Sequence, residues 1–114
     1  MEIVPEIFMD IEDWRRRIDE LDRQLVALLG ERARAAVEIG VLKRNTNLPI
    51  YEPDRERIVF DNVQRMNRGP LPGPEMVRIY ERIMDVMRNI QKKGIGPAVA
   101  EAAEETNLGS DVND

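Results

Sequence analysis

The chain is expected to be all-α, with three helices in the order long, short, medium. Three observations predict this. Apolar residues recur at three- and four-residue spacing through most of the chain, the period of amphipathic helices. No segment shows the apolar–polar alternation of a half-buried strand. Prolines and glycines gather at two breaks, Pro49 to Pro53 and Gly69 to Pro74, which divide the periodic stretches into three.

Residues 1–9 read as a loosely ordered lead-in, because Pro5 discourages a helix through them. The first helix follows from a single seam. Ile11, Trp14, Ile18, Leu21, Leu25, Leu28, Arg32, Ala35, Ile39 and Leu42 alternate by three and four residues throughout. Asp10 stands as its N-cap, and Asp13 lies in the first turn, where a negative charge complements the helix dipole. The helix is expected to run from about residue 11 to 44, interrupted only by Gly30 and Gly40, and to stop at Asn45-Thr46-Asn47-Leu48-Pro49. Pro49-Ile50-Tyr51-Glu52-Pro53 then reads as an extended connector, since each residue before a proline is pushed out of the α region. Pro53 suits the first turn of a second helix, whose apolar positions are Ile58, Val59, Val63 and Met66. Arg68-Gly69-Pro70-Leu71-Pro72-Gly73-Pro74 breaks it. The third helix, from about 74 to 93, carries Met76, Tyr80, Ile83, Met84, Met87 and Ile90 and is expected to end at Gly94. Residues 10–93 thus form one helical domain. Residues 94–114 are acidic and small, and read as a disordered tail.

With 114 residues, 42% hydrophobic and 34% charged, the chain has the make-up of one globular, helix-rich domain rather than a disordered or membrane protein. No run approaches the roughly 18 apolar residues of a spanning helix. The first ten residues lack the basic start and apolar run of a signal peptide, so a cytoplasmic location is expected. There are no cysteines and no histidines. Disulfides, thiolate catalysis and the commonest metal ligands and general base are therefore excluded, and no metal or cofactor is expected. A formal charge of −5 argues against nucleic acid as a partner. Any chemistry must rest on Arg, Lys, Glu, Asp, Gln and Tyr.

Arg32 is the one charged position in the apolar seam. A guanidinium stays charged, so burying it requires an anion, either a carboxylate elsewhere in the chain or a ligand. Lys43 lies eleven residues on, about 20° from facing the same way and about 16 Å along the axis. The two can bracket a small anion. Arg15 is about 25 Å from Arg32 on the same helix, too far to share that anion. A first helix about 50 Å long also outruns a globule of this size, whose radius of gyration is about 13 Å. Its seam would be exposed without a partner chain, and a two-fold homodimer is the commonest remedy. If two first helices pair antiparallel about a midpoint near residue 26 or 27, Arg15 falls opposite residue 38 of its partner, between Arg32 and Lys43. Three cations then converge from two chains. Gln91 extends the stripe Tyr80, Met84 and Met87 and offers a neutral amide. Glu52, Arg55 and Glu56 stand at the start of the second helix, where a carboxylate can accept from a substrate hydroxyl.

The string Arg15-x-x-Ile18-Asp19-x-x-Asp22, continued by Leu25-x-x-Leu28-Leu29-x-x-Arg32, by Lys43, by Pro49-Ile50-Tyr51-Glu52-Pro53-x-Arg55-Glu56 and by Gln91, resembles the all-helical (AroQ-type) chorismate mutases over roughly residues 10–93. The resemblance implies an intertwined helical homodimer that converts chorismate, a small dicarboxylate, to prephenate in phenylalanine and tyrosine biosynthesis. The reaction is an intramolecular Claisen rearrangement without a covalent enzyme intermediate. By position, the resemblance assigns Arg32 and the partner's Arg15 to the substrate carboxylates, and Lys43 to a carboxylate and the ether oxygen. Gln91 is assigned to the same oxygen, Glu56 with the backbone around Glu52 to the ring hydroxyl, and Arg55 to the wall of the site. Met87 stands where family members often carry a small hydroxyl residue, and Glu52 stands where an Asp is common. Two other functions fit the same features. One is pyruvate elimination from isochorismate on the same fold. The other is a non-catalytic dimerisation or regulatory module docking onto an aromatic-pathway enzyme, with Arg32 paired internally.

Overall fold

The structure is a computed structural model and describes residues 5–93. A single 3-10 turn, Glu6–Phe8, precedes three α-helices: α1 (Ile11–Thr46), α2 (Pro53–Met66) and α3 (Gly73–Lys93). The all-α expectation and the order long, short, medium both hold. The expected tail, residues 94–114, and the first four residues of the expected lead-in lie outside the described residues. Among the described residues no helix is long and apolar enough to cross a membrane.

Helix α1 starts where the cap residue dictates. Asp13 N–H donates to Asp10 Oδ1 at 2.9 Å, and Asp10 N–H donates back to Asp13 Oδ2 at 3.0 Å. This reciprocal box satisfies two of the orphan donors at the helix start, so Asp13 does more than complement the dipole. The Asp10 backbone bond, helped by Arg16, holds the Asp13 carboxyl below the usual carboxylate range. A depressed carboxyl stabilises the fold above its unfolded pKa, and that contribution fades as the pH falls through the folded value. At the other end α1 runs two residues past the expected stop, with Thr46 Oγ1 donating to the Leu42 carbonyl at 2.7 Å. Asn47 then turns into the left-handed region (φ 58°) and closes the helix.

Helix α2 has Pro53 in its first turn as expected. Its buried residues are Val59 and Val63, whereas Ile58 and Met66 stay exposed. Asn67 shapes the break that follows, accepting from Gly69 N–H at 2.9 Å and donating to the Leu71 carbonyl at 2.8 Å. Gly69 there adopts a positive φ of 72°. Helix α3 packs against both α1 and α2. Met87 is buried, and Met76, Tyr80, Ile83, Met84 and Ile90 are half-buried, so the predicted stripe is the face α3 turns to its neighbours.

The α1 seam divides in two. Toward its C-terminal end the residues buried against α3 are Ala36, Gly40 and Lys43, one position on from the seam residues Ala35, Ile39 and Leu42. Toward its N-terminal end nothing in the described chain covers the stripe. Leu25 is 55% exposed and Leu28 60%, and Trp14, Ile18 and Leu21 are also exposed. The radius of gyration is 17.6 Å, well above the about 13 Å of a compact chain of this length, and the longest dimension is 57 Å.

Gly40 is not merely an interruption of α1. A Cβ added there would lie 3.1 Å from Gln91 Cα and 3.2 Å from its carbonyl oxygen. The two backbones meet where an added methyl group would be tighter than ordinary contact, against backbone atoms that give little. Alanine normally gains about 1 kcal/mol over glycine inside a helix, and at Gly30, where a Cβ meets nothing of its own chain within 4 Å, that gain is expected. At Gly40 overpacking costs about 1–3 kcal/mol and reverses the sign. Urea unfolding should therefore show Gly30→Ala more stable than the parent and Gly40→Ala less stable.

Candidate active site

The C-terminal half of α1, the connector, the start of α2 and the last turns of α3 line a cavity of about 470 Å³. Arg32, Lys43, Glu52, Arg55, Glu56, Met87 and Gln91 all line it. Seven of the eight site residues expected from sequence thus come together from positions as far apart as 32 and 91. The eighth, Arg15, lies on the N-terminal half of α1, where it pairs with Glu12 at 3.0 Å.

Lys43 is 7% exposed, and burial of an ammonium demands that its protons be accepted. Nζ donates to the Ile50 carbonyl at 2.9 Å and to Gln91 Oε1 at 3.1 Å, and sits 2.7 Å from Glu52 Oε1. Three acceptors match the three donors of the group. The residue that helix-end statistics would put in solvent is therefore a structural node joining α1, the connector and α3. Glu52 reaches it because its side chain is not spent on capping α2. Gln91 is held at both ends: its side-chain oxygen by Lys43, and its backbone carbonyl by Arg44 Nη1 at 3.1 Å.

Arg32 is half-buried and its Nη2 lies 3.5 Å from Met84 Sδ, a weak acceptor. Among the described residues no carboxylate lies within ion-pairing distance of it. The internal-pair explanation for a seam arginine is thus not realised among them. Met87 is buried in the cavity wall, placing an apolar surface there.

Sequence reasoning missed Arg88. Its Nε and Nη2 donate to Glu56 Oε2 and Oε1 at 3.0 and 2.8 Å, and Nη1 donates to Asp85 at 3.2 Å. Its guanidinium carbon also lies 5.2 Å from the centre of the Tyr51 ring. The hydrogen bonds to Glu56 raise its pKa further above the ordinary arginine value, so it stays charged. The spacing Met84, Met87, Arg88 and Gln91 placed it beside the apolar stripe. Its partner is 32 residues away, however, and only the packing of α2 on α3 brings them together.

The cavity therefore holds four cations and two carboxylates against an apolar wall, a lining chemically suited to a small anion with several oxygens. Among the described residues there is no group of His, Cys, Asp and Glu that could hold a metal ion. Residues 14–92 match the family model for chorismate mutase type II, and the chain belongs to that all-helical (AroQ-type) family. It is 36% identical over 88 residues to a bifunctional chorismate mutase/prephenate dehydratase of Aquifex aeolicus, a match covering 74% of this chain and 24% of that protein. It is 24% identical to a chorismate mutase of Methanocaldococcus jannaschii, covering 69% of this chain and 81% of the relative. The fold matches the Form II structure of chorismate mutase from Thermus thermophilus with a TM-score of 0.71 at 29% identity, covering 72% of this chain and 93% of that one. The chain spans about a quarter of the length of the Aquifex bifunctional relative.

Proposed function

We propose that the protein rearranges chorismate to prephenate in a cavity shared between two copies of the chain. The observation that carries this reading is the buried Lys43 ammonium, joined to the Gln91 side chain at 3.1 Å and facing the same cavity as Arg32. The reaction breaks one C–O bond as a C–C bond forms, so the enzyme must hold the chair-like conformer and stabilise charge growing on the ether oxygen. Lys43 and the Gln91 amide nitrogen supply the donors for that oxygen. Arg32 and the partner's Arg15 hold the two carboxylates, and Glu56 accepts from the ring hydroxyl. Arg55 lines the mouth. Glu52 is 47% exposed at its side chain, so it is the Lys43 partner a substrate carboxylate can displace with least cost. The exposed Leu25–Leu28 stretch supports the dimer, because an antiparallel pairing of α1 would cover it and carry Arg15 to the partner's cavity in one step.

Purified protein should consume chorismate and yield prephenate without added metal or cofactor, followed as loss of the chorismate ultraviolet absorbance. A folded protein with no turnover would overturn the reading, and pyruvate release from isochorismate instead would move it to the lyase reaction. Gln91 carries no titrating proton and the chain has no histidine. The rate is therefore expected to vary by less than about threefold between roughly pH 5 and 8, where an acidic donor in its place would titrate.

A further inference from the structure

We propose that Arg88 is a positioning residue for this reaction, fixing the Glu56 carboxylate so that it reads a hydroxyl on the substrate ring. The inference rests on the reading of the cavity as a chorismate site. Glu56 has three rotatable side-chain bonds, and an unrestrained carboxylate at the cavity edge would sample many orientations. Arg88 removes that freedom with a fork of two parallel bonds, at 3.0 and 2.8 Å, one to each carboxylate oxygen. The fork is itself located from two sides. Asp85 holds Nη1 from one turn earlier on α3, and the Tyr51 ring lies against the guanidinium from the connector. The side chains of Glu56 and Arg88 are 16% and 29% exposed, so the pair is partly shielded from water. Each carboxylate oxygen keeps further lone-pair capacity, and both residues line the cavity. Arg88 itself spends three of its five N–H donors on two carboxylates. It therefore serves better as a clamp on Glu56 than as an anchor for a substrate anion.

Such a clamp acts on one substrate group, which separates it from a general structural role. The test compares chorismate with an analogue lacking the ring hydroxyl, using full-length protein whose folding is checked by circular dichroism. Arg88→Gln is expected to lower kcat/KM for chorismate about 10–100-fold, as weakening of one hydrogen bond to a charged group does, and for the deoxy analogue less than about threefold. In a Glu56→Gln background the same change should add less than about threefold, since residues acting as a unit are not additive. Arg88→Lys keeps the charge without the fork and should fall between. It gives the same two-substrate comparison if the glutamine variant fails to fold. Equal losses on both substrates, or additivity with Glu56→Gln, would overturn the proposal while leaving the mutase reading intact. A parent protein that turns over neither substrate would overturn both.

Discussion

Replacing Lys43 with alanine is expected to lower kcat for chorismate by at least about 10³-fold. Removing one neutral donor from a preorganised oxyanion site costs about 10²–10³, and Lys43 contributes a full charge in a position 7% exposed, where water screens it little. The change also frees Gln91, whose side-chain oxygen loses its donor at 3.1 Å, and the connector, whose Ile50 carbonyl loses one at 2.9 Å. Part of the loss is therefore disorder of a second catalytic group. Lys43→Arg separates the two effects: it restores the charge, but a planar fork cannot direct three donors to three acceptors arranged around one nitrogen. It should remain at least about 10²-fold impaired. A decrease of only a fewfold in kcat for the alanine variant, measured by chorismate absorbance on folded protein, would remove Lys43 from the reaction.

The second large effect concerns a residue about 10 Å along α1 from Arg32. Leu25 is 55% exposed in the single chain and lies near the midpoint of the proposed antiparallel pairing of two α1 helices. In that pairing residue 25 falls opposite residue 28 of the partner, and Leu28 is also exposed. Leu25→Glu places a charge in the middle of this apolar crossing, twice per dimer, where its desolvation has no compensating partner. Sedimentation equilibrium should give a particle of twice the 13.2 kDa chain mass for the parent and the single-chain mass for the variant. Turnover should fall with it by more than about 10²-fold, because a partner carboxylate clamp is lost. A monomeric variant that keeps full activity would show that each chain holds a complete site.

Much of this architecture was legible from residues alone, for identifiable reasons. Asp10, Pro53 and Asn47 mark helix ends through local backbone chemistry, and α3 declares its buried face through spacing. The seven cavity residues were legible because Arg32 breaks an apolar rule and the family string orders the rest. Two features were hidden because each depends on a crossing between helices. Gly40 reads as a weak point in α1 until Gln91 is seen against its Cα. Arg88 reads as an ordinary surface cation until α2 brings Glu56 to it. The seam itself combined two surfaces. Ala36, Gly40 and Lys43 meet α3, while the positions from Ile11 to Leu28 are uncovered within the described chain. A heptad pattern records that a face is apolar, not which neighbour covers it.

The charge lining of the cavity has a consequence for what can reach it. Arg32, Lys43, Arg55 and Arg88 outnumber Glu52 and Glu56 by two, so a dianion entering the cavity balances the charge that one chain contributes to its lining. The chain as a whole carries −5, but residues 5–93 hold all 17 basic side chains and 16 of the 22 acidic ones, so the cavity is a local positive excess on a helical domain close to neutral. The field of that excess extends about one Debye length, roughly 8 Å at physiological ionic strength. A molecule small enough to fit inside meets mainly this local excess of positive charge, whereas one too large to enter meets a surface whose charges nearly balance. Electrostatic attraction is therefore expected mainly for anions small enough to enter the cavity.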